Sequence, residues 1–488
     1  MDGVGARGAH RDPNVLRWLA GFTASGVGDN VYYVALSWAA VQAGTPFQAG
    51  LVTVAGALPR AVLMLGGGVL ADRYGARRVV LAGTGVRCGL VLLAALLLVA
   101  TTPGLVVLAA VAVLFGIVDA AFLPAAGALP ALIAPPGQFG RVQGLRGLSV
   151  RLANVLGGPL GGVGVAVGGT AGAFGVAALL IGVSWPVLGA VRVRGVEAGA
   201  GEREGSGRRG CLPRGTAARA RAGEGLEVVG VASGDVGFAR GGERAAGAGA
   251  SAAVVAGRDA VARDARVGGK GRGRWEGPGE PGAWWRGVAG ELVDGVRYVR
   301  RDRVLTALVV SITLSDLGFV GPMNLGLTLL AGERGWGASG LGLVLAGFGV
   351  GAGAASLLLA WRGRVPRAGW VLALATVGGA LAIAALARVP SVAGAVSVAL
   401  CVGLLAGLGG ALAGTLVQAR AGAAYIGRVT AVSTLIGYGV APLTFPLVGW
   451  AVSLWGTGPV FAACAMLNGG SAVVVLGVRG LRRAELPG

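Results

Sequence analysis

The sequence predicts an all-α polytopic membrane protein, with 12 transmembrane helices in two pseudo-symmetric six-helix halves. Three observations predict it. Of 488 residues, 54% are hydrophobic and only 13% charged, against about 25% charged in an ordinary soluble chain. Apolar runs long enough to cross a bilayer recur along the chain. They are continuous rather than alternating, which argues against a β-barrel. The arginines cluster between every second pair of runs, as the positive-inside rule requires. The net charge of +20 is thereby assigned to loops at one membrane face and not to a nucleic-acid surface.

Twelve spans are expected, at Val15–Ala43, Gln48–Ala71, Val79–Thr101, Leu105–Ile133, Val142–Gly168, Ala171–Val191, Val304–Ala331, Ser339–Trp361, Trp370–Ala387, Val392–Leu416, Tyr425–Val452 and Pro459–Val478. Basic residues fall in the loops after even-counted helix pairs, which places both termini in the cytoplasm. Residues 1–14 read as a cytoplasmic tail whose arginines precede a retained first helix rather than a cleaved leader. The first six spans form one bundle, 15–192, and the last six another, 303–480, followed by a tail at 481–488. Between them, 193–283 is rich in Gly, Ala, Arg and Glu and reads as a disordered linker. At 284–302, Trp285, Val288, Leu292, Val296 and Val299 recur against Arg286, Glu291, Asp294 and Arg297. That is an amphipathic helix, lying on the inner membrane surface or extending span seven.

Ionisable residues at mid-depth cost about 2.5–3.5 kcal/mol each on insertion scales, so each needs a reason. Asp29, Arg60, Asp119, Arg151 and Asp316 are such residues. Depth suggests that Asp29 pairs with Arg60 and Asp119 with Arg151. Arg87 and Arg146 read as anchors snorkelling to the inner leaflet. The three aspartates are candidate proton or substrate-cation sites, set by neighbouring arginines; the alternative is that the pairs only pin helices together. Span five carries Asn154 and then Gly158, Pro159, Gly161 and Gly162. This run is suited either to a bend or to close static packing. Arg17 and Asp29 in span one are echoed by Arg303 and Asp316 in span seven, which suggests a duplicated unit.

Other chemistries find little support. The single histidine, His10, is in the tail, and the four cysteines are scattered without ligand spacing. No nucleophile–base set, metal cluster or cofactor motif emerges, so no enzyme, metal or cofactor is expected.

The hinge between spans two and three, GGGVLADRYGARR at 66–78, holds Gly68, Asp72, Arg73, Gly75, Arg77 and Arg78. It resembles the loop 2–3 signature of the major facilitator superfamily. The resemblance implies a cytoplasmic latch in which Asp72 meets basic groups such as Arg73, Arg77 or Arg428. The span-five run resembles the antiporter motif of drug exporters in that superfamily, departing from it at Asn154. Asp29, Leu58-Pro59, DAAFLPA from Asp119 and ELVDGVRYVRRD before span seven resemble the subgroup of macrolide-efflux and siderophore-export permeases. The resemblance implies a bacterial plasma-membrane transporter, monomeric, that exports a small amphipathic compound by alternating access and proton antiport. An importer or uniporter of the same fold, or a non-transporting membrane sensor or scaffold, remains open.

Overall fold

A computed structural model describes residues 11–101, 104–134, 138–193, 281–362, 365–421 and 425–482, apart from the side chains of 65–69, 72, 281–289, 291, 360, 426–427, 430–431, 434 and 438. The expected linker, 193–283, lies almost wholly outside them. Among the described residues the regular structure is all helical. In the first half α1 spans Pro13–Ala43, α2 Pro46–Tyr74, α3 Ala76–Ala100 and α4 Leu105–Ile133. The continuous run Phe139–Gly189 is two helices, α5 and α6. They turn back at Gly168 and at Gly169, whose φ of 63° favours a residue without a Cβ. The second half begins with α7 at Pro281–Arg301. Then α8 (Arg303–Glu333) carries a π-turn at Pro322–Gly326, and α9 spans Gly337–Arg362, α10 Ala368–Leu386 and α11 Val392–Arg420. α12 runs from Ile426–Leu435 through a π-turn, Ile436–Val440, to Thr444–Trp455. α13 is Thr457–Gly477 and α14 the short Arg479–Arg482.

Nine of these stretches are long and apolar enough to span a membrane by themselves. One contains both α5 and α6. Adding α1, diluted by its polar residues, and the interrupted α12 makes twelve. Local sequence sets the ends. Asp12 caps α1 through the Asn14 N–H (2.9 Å). Thr45 and Gln48 form a reciprocal capping box on α2.

The α7–α8 junction bears on one of the two expectations for the amphipathic segment, the extension of span seven. Asp302 leaves helical geometry (φ −106°, ψ 114°), and its carboxylate accepts from the Val304 and Leu305 N–H groups. α7 is therefore a separate helix and not an extension of α8. Its inner face packs on α12, where Tyr298 stacks on Tyr425 (4.2 Å) and Gly295 meets Arg428. Partial burial raises the Asp302 carboxyl, but the two N–H donors and the Arg420 guanidinium (2.9 Å) outweigh that and hold it below its ordinary value.

The two halves meet unevenly. At the end bearing the termini each half has its own core. One lies around Trp18, Val80, Leu129 and Ile133, the other around Leu305, Leu308, Leu416 and Val475. At the opposite end a shared core joins Tyr32, Phe115 and Phe174 to Leu325, Phe445 and Val448. Backbones approach closely there. Gly162 faces Ala338 and Gly342 between α5 and α9, and Gly449 meets Pro46 between α12 and α2. A side chain at either glycine would collide with the facing backbone, so small residues hold this seam.

Candidate functional site

Four charged side chains converge near the middles of α1, α2, α3 and α4. Arg87 is at the centre and fully buried. Its Nη1 donates to both oxygens of Asp29 (2.9 and 2.8 Å) and to Asp119 Oδ1 (3.3 Å). Its Nη2 donates to Ser25 Oγ (2.9 Å), and its guanidinium lies 3.6 Å from the centre of the Phe122 ring. Arg60 reaches the same group from α2, donating to Asp119 Oδ2 (3.5 Å) and to Tyr33 Oη (2.7 Å). With all four ionised the cluster is neutral, which is how a membrane interior tolerates it.

This pairing corrects the sequence expectation. Asp29 is held by Arg87 and not by Arg60, and Asp119 by Arg87 and Arg60 and not by Arg151. Arg87 is no snorkelling anchor: it is too far from either end of α3 for its side chain to reach water. Arg151 is half-buried on α5. Arg146 sits over the Phe22 ring (5.6 Å). Asn154 accepts from Asn30 Nδ2 (3.3 Å) at the seam with α9. Gly158 and Gly162 face α9, and Gly161 faces Val34. Neither these glycines nor Pro159 departs from helical backbone angles, so this run is seen packing closely.

Beside the cluster is a cavity of about 220 Å³ between the halves. α1 supplies Asn30, Tyr33 and Ser37, α2 supplies Arg60, and α8 supplies Asn324 and Thr328. Ser37 and Thr328 hydroxyls bond across the seam (2.9 Å). Aromatic and aliphatic walls come from Tyr32, Phe115, Leu345 and Phe445. A mostly apolar chamber with a few convergent polar groups and one cation suits a small amphipathic molecule. Asp316 is elsewhere, in a separate cavity inside the second half.

The fold is thus two joined six-helix halves around a central chamber. Over residues 18–446 the sequence matches the family model described as Major Facilitator Superfamily. The chain belongs to that superfamily. No curated protein matches the sequence. Among solved structures, a mutant of the nucleoside transporter NupG is similar at TM-score 0.59 and 10% identity, over 95% of this chain and 99% of that one. A POT family transporter in complex with 5-aminolevulinic acid is similar at TM-score 0.62 and 12% identity, over 95% of each chain. At these identities the likeness is one of fold. The protein is accordingly a multi-pass membrane transporter for a small molecule, not an enzyme.

In this member of the superfamily, the loop 2–3 signature is only partly visible. The side chain of Asp72, and position 68, lie outside the described ones. Gly75, with φ of 85°, makes the turn between α2 and α3. Arg77 Nη2 donates to the Gly189 carbonyl at the end of α6 (2.6 Å), within its own half. Arg73 lies over Tyr74, Arg78 is exposed, and Arg428 lies over Tyr425 (5.2 Å). Arg87 is the site residue that sequence reading misassigned. The signal was its depth: from the start of α3 it stands about 16 Å along the axis at 1.5 Å per residue, beyond the snorkelling reach of an arginine.

Proposed function

We propose that this transporter exports a small amphipathic organic compound across a bacterial plasma membrane in exchange for protons. The observation that carries the reading is the chamber between the halves with Arg60 in its wall. Arg60 connects that chamber to Asp119 and, through Arg87, to Asp29. Substrate would lie against Tyr33, Phe115 and Phe445, and Arg60 would sense it.

Protonation of Asp29 frees Arg87 to turn fully toward Asp119, which loosens Asp119 from Arg60 and changes the charge balance at the chamber wall. This couples proton occupancy to substrate occupancy without direct contact between them. With both termini in the cytoplasm, the seam joins the halves at the outer face, and at the inner face each half keeps its own core. That arrangement suits the loading state of an exporter. Rocking of the halves, with Asp72, Arg73, Arg77, Arg78 and Arg428 forming a latch at the inner face, would complete the cycle.

The test uses protein in liposomes under an imposed pH gradient. An exporter of this kind moves its substrate against protons, and reversing the gradient reverses transport. Asp29→Asn is expected to abolish gradient-driven transport while leaving substrate binding in place. Gradient-driven transport by that variant at the wild-type rate would overturn the proton assignment. Transport of substrate with the proton flow would convert the reading to an importer.

A further inference from the structure

The second half holds a cavity of about 170 Å³, enclosed by α8, α10, α11 and α13. Its polar wall is Asp316, Ser311, Ser315, Thr376 and Asn468, and no basic residue is among its described lining. Among the described residues Asp316 has no hydrogen bond or ion pair. Asn468 Nδ2 donates to the Ser315 carbonyl (3.2 Å) and hydroxyl (3.1 Å), which leaves its own carbonyl oxygen as an acceptor.

The internal repeat explains the void. Thr84 stands as far from the start of α3 (Ala76) as Thr376 does from the start of α10 (Ala368). Both are buried, and both donate to the carbonyl four residues back, at 2.8 and 2.7 Å. They set the register between the halves. In it Arg87 corresponds to Gly379. Counting likewise from Leu105 and Val392, Asp119 in α4 corresponds to Ala406 in α11, and Phe122 to Gly409. Gly379, Ala406 and Gly409 all line the cavity. The first half thus sets a guanidinium, a second carboxylate and a ring against the aspartate of its leading helix. The second half leaves the guanidinium's place empty and carries an aspartate of its own, Asp316, about one helical turn before the place of Asp29, which by the same count falls at Phe319.

We propose that this cavity binds a small organic cation, a guanidinium or primary ammonium group, that pairs with Asp316 as Arg87 pairs with Asp29. An ionised carboxylate here needs a counter-charge, and the second half supplies none among its lining residues. The Ser315 and Thr376 hydroxyls and the Asn468 carbonyl are acceptors for the remaining N–H donors. Phe319 also lines the cavity, which brings an aromatic ring within reach of the cation, as Phe122 is within reach of Arg87. The space suits a polyatomic cation better than a bare metal ion, which gathers six or more oxygens at about 2.0–2.6 Å. The site is separate from the central chamber and stands whether or not protons drive transport.

The test is thermal unfolding of the purified full-length protein in detergent, with millimolar methylguanidinium or its neutral counterpart N-methylurea. Methylguanidinium is expected to raise the unfolding temperature saturably, and N-methylurea to leave it unchanged. Asp316→Asn should weaken the apparent affinity at least tenfold. Gly379→Arg, which supplies a tethered guanidinium, should unfold at a higher temperature and no longer respond to the probe. The Asp316→Asn result decides the matter alone if the arginine variant fails to fold. An equal response to N-methylurea, a wild-type response from Asp316→Asn, or stabilisation by sodium chloride alone would each overturn the proposal. No pH gradient enters the assay, so its failure is distinct from a failure of proton antiport.

Discussion

Replacing Arg87 with leucine removes the cation that joins Asp29, Asp119 and Ser25. Leucine is apolar and shorter, so the two carboxylates lose their shared partner inside the first half. Breaking a buried pair by deleting one member costs about 3–5 kcal/mol. Arg60 still lies 3.5 Å from Asp119 and offsets part of this, so a loss near 3 kcal/mol is expected. That corresponds to more than a hundredfold in the unfolding equilibrium, at about 1.4 kcal/mol per factor of ten. Asp29→Asn/Arg87→Leu removes both charges of the closest pair and should be less damaging than the summed single changes by about 1–3 kcal/mol. Unfolding of the four proteins of this cycle in mixed micelles, titrated with SDS, measures both quantities. An Arg87→Leu protein as stable as wild type, or strictly additive losses, would refute a structural role for the cluster.

Gly449→Val places side-chain atoms against Pro46 at the seam; it should open the face away from the termini, read as faster labelling of a cysteine introduced beside Ser37. Asp302 is held below its ordinary value, so its contribution is present above the unfolded carboxylate range near pH 3.9 and lost as pH falls through the lower folded value. Asp302→Asn should therefore lower stability at pH 7, by less than about 1 kcal/mol because Arg420 is largely exposed, and by progressively less as the pH is taken below about 3.9. Asp72→Ala should favour the inward-open state and slow turnover, measured as labelling of cytoplasmic-face cysteines and as transport rate. Deleting 195–282 should leave transport intact; loss of transport would support the scaffold reading.

Much of the architecture is legible from local pattern. Apolar length gives the spans, and the α5–α6 turn falls at Gly168–Gly169, where the expected fifth and sixth spans abut. The candidate charges were found for the same reason: any ionisable residue stands out in an apolar run. Their partners were not legible. Depth along one helix does not report which face it presents, and Asp29 and Arg60 at similar depth on adjacent helices turn to different neighbours. The hollow around Asp316 was hidden for a related reason. Gly379 and Gly409 look like two among the 95 glycines of this chain, until the fold sets them at the places that Arg87 and Phe122 hold in the first half.

The sequence by itself determined the class, the doubling and the charges that a membrane interior must account for, because solvation by lipid acts on each residue where it stands. Only the tertiary structure decided that Arg87 is the hub of one half and that its place is vacant in the other. Pairing depends on the rotation of several helices about their axes. That rotation is fixed by glycine contacts and side-chain packing between segments far apart in the chain, not by anything within one span.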